Sequence, residues 1–125
     1  MIYSDINKES IDKLMDIFYD KIKSDNNLGP IFKSKIGESK EAWDKHKDKI
    51  SNFWQGQILG EGNYRRQPMK THIELPPFPQ EFFNIWLDLF SQSLDLVFDD
   101  NCKAVFLKRA QMIANSFQNM IYKYH

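Results

Sequence analysis

The side chains in this sequence that could do chemistry are His72, His46, Tyr19, Trp86 and Cys102. His72 is the most constrained of them. Pro68 stands before it and Pro76, Pro77 and Pro79 follow, so the backbone around the imidazole is restricted to at most one short helical turn. An imidazole held on so stiff a segment is either a solvated loop histidine or an axial metal ligand aimed into the helices on either side. A zinc site built from His46, His72 and Cys102 lacks the paired spacing such sites show. Cys102 near a helix start could have a lowered thiol pKa, but a Cys–His nucleophilic pair has no orienting third group here, and the thiol reads as packing. Gly60-Glu61-Gly62-Asn63 is a turn and not a phosphate loop, because no Gly-x-x-x-x-Gly-Lys-Ser/Thr occurs.

The composition narrows the partners. Seventeen basic residues balance seventeen acidic ones, which removes the electrostatic reason to expect nucleic acid or an anionic membrane. A single cysteine excludes an internal disulfide and suits a reducing compartment. No secretory signal is visible at Met1–Asn7 and no apolar run reaches the roughly 18 residues of a membrane span, so the expected address is the cytoplasm. At 125 residues the chain is read as one domain, 1–125, with a true core. Ten Phe and three Trp are a heavy aromatic load for that length, so either the core is bulky or something large and flat is packed within it.

The elements that must position these side chains all read as helix. From Lys8 to about Lys23, Ile11, Leu14, Met15, Phe18 and Ile22 recur at three- and four-residue steps, with Asn7 as cap and Glu9 in the first turn. Tyr19 lies at the edge of that face, as a core tyrosine or as a hydroxyl pointed into a pocket. Asp25-Asn26-Asn27 and Gly29-Pro30 are expected to stop the helix, and Leu28, Ile31, Phe32 and Ile36 read as an apolar connection folding back on the core. Ser39 is the expected cap of a second helix running to about Leu59, with Trp43, Ile50, Phe53, Trp54 and Ile58 in its stripe. His46 falls within that arc, either bonded in the core or acting as a gate or donor over a buried site.

A third helix is expected with Pro79 in its first turn and Phe82, Trp86, Leu89, Ser93 and Val97 in one stripe, flanked by Ile85 and Phe90. An inward Trp86 needs an acceptor for its indole N–H, which implies something polar close by. Asp99-Asp100-Asn101 should break and recap the chain before a last helix, from about Cys102 to Tyr122, that buries Phe106, Ile113, Phe117 and Met120. The expected class is all-α: four amphipathic helices in two pairs around a proline-stiffened loop, with no strand. Such bundles often bury a ligand between facing helices.

The order of these residues resembles the third group of the truncated globins across essentially the whole chain. The resemblance is carried by Phe18-Tyr19, Leu28-Gly29-Pro30-Ile31-Phe32, Trp43-Asp44-Lys45-His46, Phe53-Trp54, Tyr64 with Pro68 and His72, and Phe82 with Trp86-Leu87. It implies a truncated globin fold, a two-over-two helical sandwich around haem b, with His72 as proximal iron ligand and Tyr19, Trp86 and His46 in a polar distal pocket. It further implies that Phe32, Ile50, Trp54, Met69 and Phe82 line the haem, with Arg66 near its propionates. One departure stands out: the family's Tyr-x-Gly-x-Pro is Tyr64-Arg65-Arg66-Gln67-Pro68 here. If the glycine has positive φ, Arg66 is strained by about 1 kcal/mol or more, or the loop takes another path. Arg65, Arg66 and Lys70 are the nearest cations for propionates, and exposed pairs of that kind contribute about 0–1 kcal/mol.

What the resemblance implies for function follows from the donors. The second ring nitrogen of His72 should donate to an acceptor that fixes its tautomer. Tyr19 O–H and Trp86 N–H would stabilise a gas ligand that gains negative charge when bound, while His46 could turn outward as a gate. The expected function is a tight binder of dioxygen, and of carbon monoxide or nitric oxide, acting as a monomer. The alternative is a haem enzyme, a nitric oxide dioxygenase or peroxidase-like catalyst, which would need a separate reductase. A haem-free helical interaction domain is a third possibility, and it predicts a colourless protein.

Overall fold

The fold was obtained as a computed structural model, which describes residues 2–60 and 81–124 and, from 116 onward, the backbone alone. The expectations for Gly62, Tyr64, Arg65, Arg66, Pro68, Met69, Lys70, His72, Pro76, Pro77 and Pro79 lie outside the described residues, as do those for the side chains of Phe117 and Met120.

Helix α1 spans Lys8–Ser24 and begins at a reciprocal cap. The Asn7 side-chain oxygen accepts from the Ser10 backbone N–H at 2.9 Å, and the Ser10 hydroxyl accepts from the Asn7 N–H at 2.9 Å, so two otherwise orphaned donors are satisfied. The expected face is the buried one: Ile11, Leu14, Met15, Phe18 and Ile22 are all inaccessible to solvent or nearly so. Tyr19 is also buried, at 3% exposure.

The stretch expected as a connection is instead a helix, α2, spanning Leu28–Ile36. Asp25 nucleates it, its carboxylate accepting from the N–H groups of Asn27 at 2.9 Å and Leu28 at 2.8 Å. Gly29 and Pro30 looked like breakers, yet both fall in the first turn, where a proline's missing N–H has no intrahelical partner to lose. Gly29 is there for space. A Cβ at that position would sit 2.8 Å from the Lys23 carbonyl oxygen at the end of α1. Gly29→Ala is therefore expected to destabilise the protein by about 1–3 kcal/mol, read as a lower urea midpoint with an unchanged slope.

Helix α3, Lys40–Trp54, starts from Ser39, whose hydroxyl accepts from the Ala42 N–H at 3.1 Å. It continues as a π-helical turn, Gln55–Leu59, and ends at Gly60, where φ is +70°. A buried polar chain braces this end of α3 to α1. The Gln55 amide donates to the Ser51 hydroxyl at 3.1 Å, and Ser51 donates to Asp12 at 2.5 Å.

Helices α4, Glu81–Val97, and α5, Asp100–Tyr124, form the second pair. Asp99 caps α5, its carboxylate accepting from the Cys102 N–H at 2.9 Å. The N-terminal segment is tied over this corner: Tyr3 donates to the Val97 carbonyl at 2.7 Å and accepts from the Asp99 N–H at 3.0 Å, an isolated parallel bridge. The buried face of α4 is rotated from the expected one. Its deepest residues are Phe83, Phe90, Ser93, Leu94 and Val97, while Phe82, Ile85, Trp86 and Leu89 are half-buried. The reason is that α4 packs against both α1 and α5, which widens its covered arc beyond a single stripe.

Five α-helices are thus present among the described residues, one more than expected, because Leu28–Ile36 is a helix and not a connection. Helix α1 contacts α2, α3 and α4, and α4 contacts α5, so α1 with α3 and α4 with α5 form two layers meeting at the α1–α4 contact. No described helix is long and apolar enough to cross a membrane.

Candidate functional site

Three of the residues singled out for chemistry come together around the inner end of α1. The Tyr19 hydroxyl lies 3.1 Å from His46 Nε2 on α3, and the two rings meet edge-on with centroids 4.9 Å apart. This bond can be made in either sense, by the phenol O–H donating to a bare Nε2 or by an Nε2–H donating to the phenol oxygen. Both groups are held neutral. Burial pushes the Tyr19 pKa well above its ordinary value. Burial, and secondarily the positive charge of Lys49, brings the His46 pKa down to about 4.

That depression links the site to acid stability. Between the ordinary histidine value of 6.5 and about 4, the unfolded chain takes up a proton that folded His46 does not. The contribution of His46 to stability should then be lost progressively as pH drops from about 6.5 to about 4. His46→Gln, which keeps a hydrogen-bonding group but cannot titrate, is expected to flatten that slope in urea unfolding curves at pH 7 and 4.5.

Aromatic walls fix the tyrosine. Phe18 meets it at 5.1 Å, Trp43 at 6.2 Å and Phe32 at 6.4 Å, all edge-on. Trp43 is itself anchored, its indole N–H donating to the Gly37 carbonyl at 2.7 Å and the Lys23 ammonium lying 5.0 Å over its ring. Phe32 comes from the unexpected helix α2, so the Asp25 cap indirectly positions one wall of the site.

Trp86 approaches from α4. Its ring stacks on Phe90 at 5.5 Å and 10°, and takes Phe18 at 5.6 Å and 90°. Among the described residues its indole N–H has no acceptor. Trp54 stacks on Phe90 at 5.3 Å and 17° and packs against Phe106, so it belongs to the same aromatic column. Ile50 is buried in the main core, and Phe82 is half-buried between that core and a smaller cluster around Phe83 and Ala114.

Phe18, Trp43 and Phe90, which periodicity marks only as residues of apolar faces, are the rings that hold Tyr19 and Trp86. The adjacency of Phe18 to Tyr19 and the four-residue spacing of Trp86 and Phe90 were the available signals. Cys102 stands apart from the site. It is buried, its thiol donates to the Ser4 carbonyl at 3.5 Å, and burial together with the Asp99 carboxylate pushes its pKa up to about 11. The helix start does not activate it, and it packs as expected.

The donor set is therefore a buried phenol, a neutral imidazole and an indole N–H without an acceptor among the described residues, set in aromatic walls. Neutral donors in an apolar cleft suit a small ligand that becomes polarised on binding, and rings suit a flat macrocycle. On both counts the residues fit a porphyrin carrying a gas ligand.

Comparison with known proteins points the same way. No family model matches the chain. It is similar to the group 3 truncated hemoglobin ctb of Campylobacter jejuni subsp. jejuni, with 60% identity over 124 residues that span 99% of this chain and 98% of that protein. It is also similar to the crystal structure of a group III truncated hemoglobin from Campylobacter jejuni, with a TM-score of 0.94 and 59% identity, covering 100% of this chain and 98% of that one.

Proposed function

The chain belongs to the group III truncated haemoglobins, and from that premise we propose that it is a tight binder of dioxygen, with Tyr19 and Trp86 as donors to the ligand. Haem binding and the binding of small gas ligands go with membership of the family, as does the two-over-two helical sandwich. Haem, if bound, would supply an iron that takes an imidazole from the protein and binds a diatomic gas. In this reading the group is haem b, His72 is the proximal ligand, and Phe32, Ile50, Trp54, Met69 and Phe82 surround the macrocycle, with Arg66 near its propionates.

The observation that carries the proposal is the buried Tyr19 hydroxyl, hydrogen-bonded to His46 at 3.1 Å and walled by aromatic rings. When His46 donates Nε2–H to the phenol oxygen, the hydroxyl proton is left for the ligand. Water is kept out by Phe18, Phe32 and Trp43, and in so dry a site a donor to a partly charged acceptor is stronger than in water. Trp86 adds a second donor from the opposite layer. Two such bonds, at about 1–2 kcal/mol each, slow ligand release by roughly 30- to 900-fold. Rapid mixing of the oxygenated ferrous protein with excess carbon monoxide tests this. Slow replacement, accelerated when either donor is removed, is the expected result; release as fast as in those variants would sink it.

A second reading, a haem enzyme acting on nitric oxide or peroxide, draws support from the same pair. The Tyr19–His46 bond joins a buried hydroxyl to a half-buried imidazole, a path by which a proton could reach a reacting ligand. Such an enzyme takes its electrons from a separate reductase. Many turnovers per haem with an added electron donor would favour this reading, and a single stoichiometric event would exclude it.

A further inference from the structure

We propose that Phe18 is a positioning residue that sets the two distal donors relative to one another; the inference rests on Tyr19 and Trp86 both acting on the ligand. The donors come from different layers, Tyr19 from α1 and Trp86 from α4. Phe18 touches both. Its ring lies 5.1 Å from Tyr19 at 64°, 5.6 Å from Trp86 at 90° and 5.1 Å from Phe90 at 81°, and it is 1% exposed.

These contacts are directional. Edge-to-face pairs favour particular ring orientations because the positive edge of one ring meets the negative face of another, a preference an aliphatic side chain of similar size lacks. The indole of Trp86 is held by two restraints at right angles, stacked on Phe90 and crossed by Phe18. Stacking alone leaves a ring free to slide and turn in its own plane. The perpendicular contact from Phe18 opposes that motion, which would otherwise swing the N–H off its target. Phe18 follows α1, the helix that also carries Tyr19, so any shift of α1 against α4 moves both donors through one ring.

Phe90 serves as the contrast. It touches Trp86 and Phe18 through its ring, whereas Tyr19 is bounded by Phe18, Phe32, Trp43 and His46. A change at Phe90 should reach one donor, and a change at Phe18 should reach both.

The test is a set of mutant cycles on the haem-loaded protein. Oxygen off-rates and the C–O stretching frequency of the carbon monoxide form are measured for Tyr19→Phe, Trp86→Phe, Phe18→Leu and Phe90→Leu, and for each leucine variant combined with each donor variant. In the Phe18→Leu background, both donor changes are expected to alter the off-rate by factors about two- to tenfold smaller than in the unaltered chain. Phe18→Leu alone should raise the C–O frequency, and Phe90→Leu should diminish the Trp86 factor only. If both factors are the same with and without Phe18, the ring merely fills space and the proposal is overturned. If neither donor change alters the off-rate even with Phe18 intact, the donor reading itself has failed, a result distinct from the first. Should Phe18→Leu not yield haem-loaded protein, Phe18→Met, also apolar and ringless, enters the same cycle with the same expected and overturning results.

Discussion

Replacing His72 by alanine is expected to cost the protein its haem affinity and its five-coordinate ferrous spectrum, with imidazole added to the solution partly restoring the latter. The expectation follows from what else in the chain could take over. The remaining histidines are His46 and His125, the last residue. His46 is committed to the Tyr19 hydroxyl at 3.1 Å. Cys102 is buried at the α4–α5 corner, its thiol committed to the Ser4 carbonyl at 3.5 Å and away from the Tyr19–His46 pair. With no imidazole free to substitute among the described residues, the loss should exceed the roughly 10–100-fold that follows when only the hydrogen-bond partner of a metal ligand is removed. Haem transfer to an acceptor apoprotein, followed in the Soret band, measures it. An alanine variant that kept its haem and an unaltered five-coordinate spectrum would show that His72 is not the ligand.

Tyr19→Phe carries the second large effect, an increase in the oxygen off-rate of about 5- to 30-fold, equivalent to losing one ligand hydrogen bond of about 1–2 kcal/mol. Phenylalanine keeps the ring and therefore the contacts with Phe18, Phe32 and Trp43, so the substitution removes a hydroxyl and little else. The orphaned partner is inexpensive to leave, since half-buried His46 can turn its Nε2 toward solvent. The thermal midpoint should accordingly move little while the off-rate moves greatly. Stopped-flow displacement of oxygen by carbon monoxide measures the rate, and an unchanged value would remove Tyr19 from the list of donors.

Much of the scaffold was readable in advance. The Asn7 and Ser39 caps, the buried faces of α1 and α3 and the Asp99 break all lie within a few residues of their consequences, and a helix period or a capping side chain acts over that distance. The misses were of another kind. Helix α2 was read as a connection because Gly29 and Pro30 signal a turn. Whether they end one helix or open another depends on the Asp25 carboxylate and on the close approach of Gly29 to Lys23. The buried face of α4 lies one step from the expected stripe because a single stripe assumes one neighbour, and among the described residues this helix meets α1, α2 and α5.

The amino-acid order by itself determined that the chain is helical, where most helices start and stop, and which few polar side chains lie on or beside apolar faces. Those are properties of neighbouring residues along the backbone. Only the tertiary structure decided that Tyr19 and His46 are bonded to each other, that both are kept neutral, and that Phe18 stands between the donors of the two layers. The Tyr19–His46 bond and the Phe18–Trp86 contact join residues 27 or more positions apart in the chain, which periodicity cannot encode because it records the face a side chain occupies and not what that face meets.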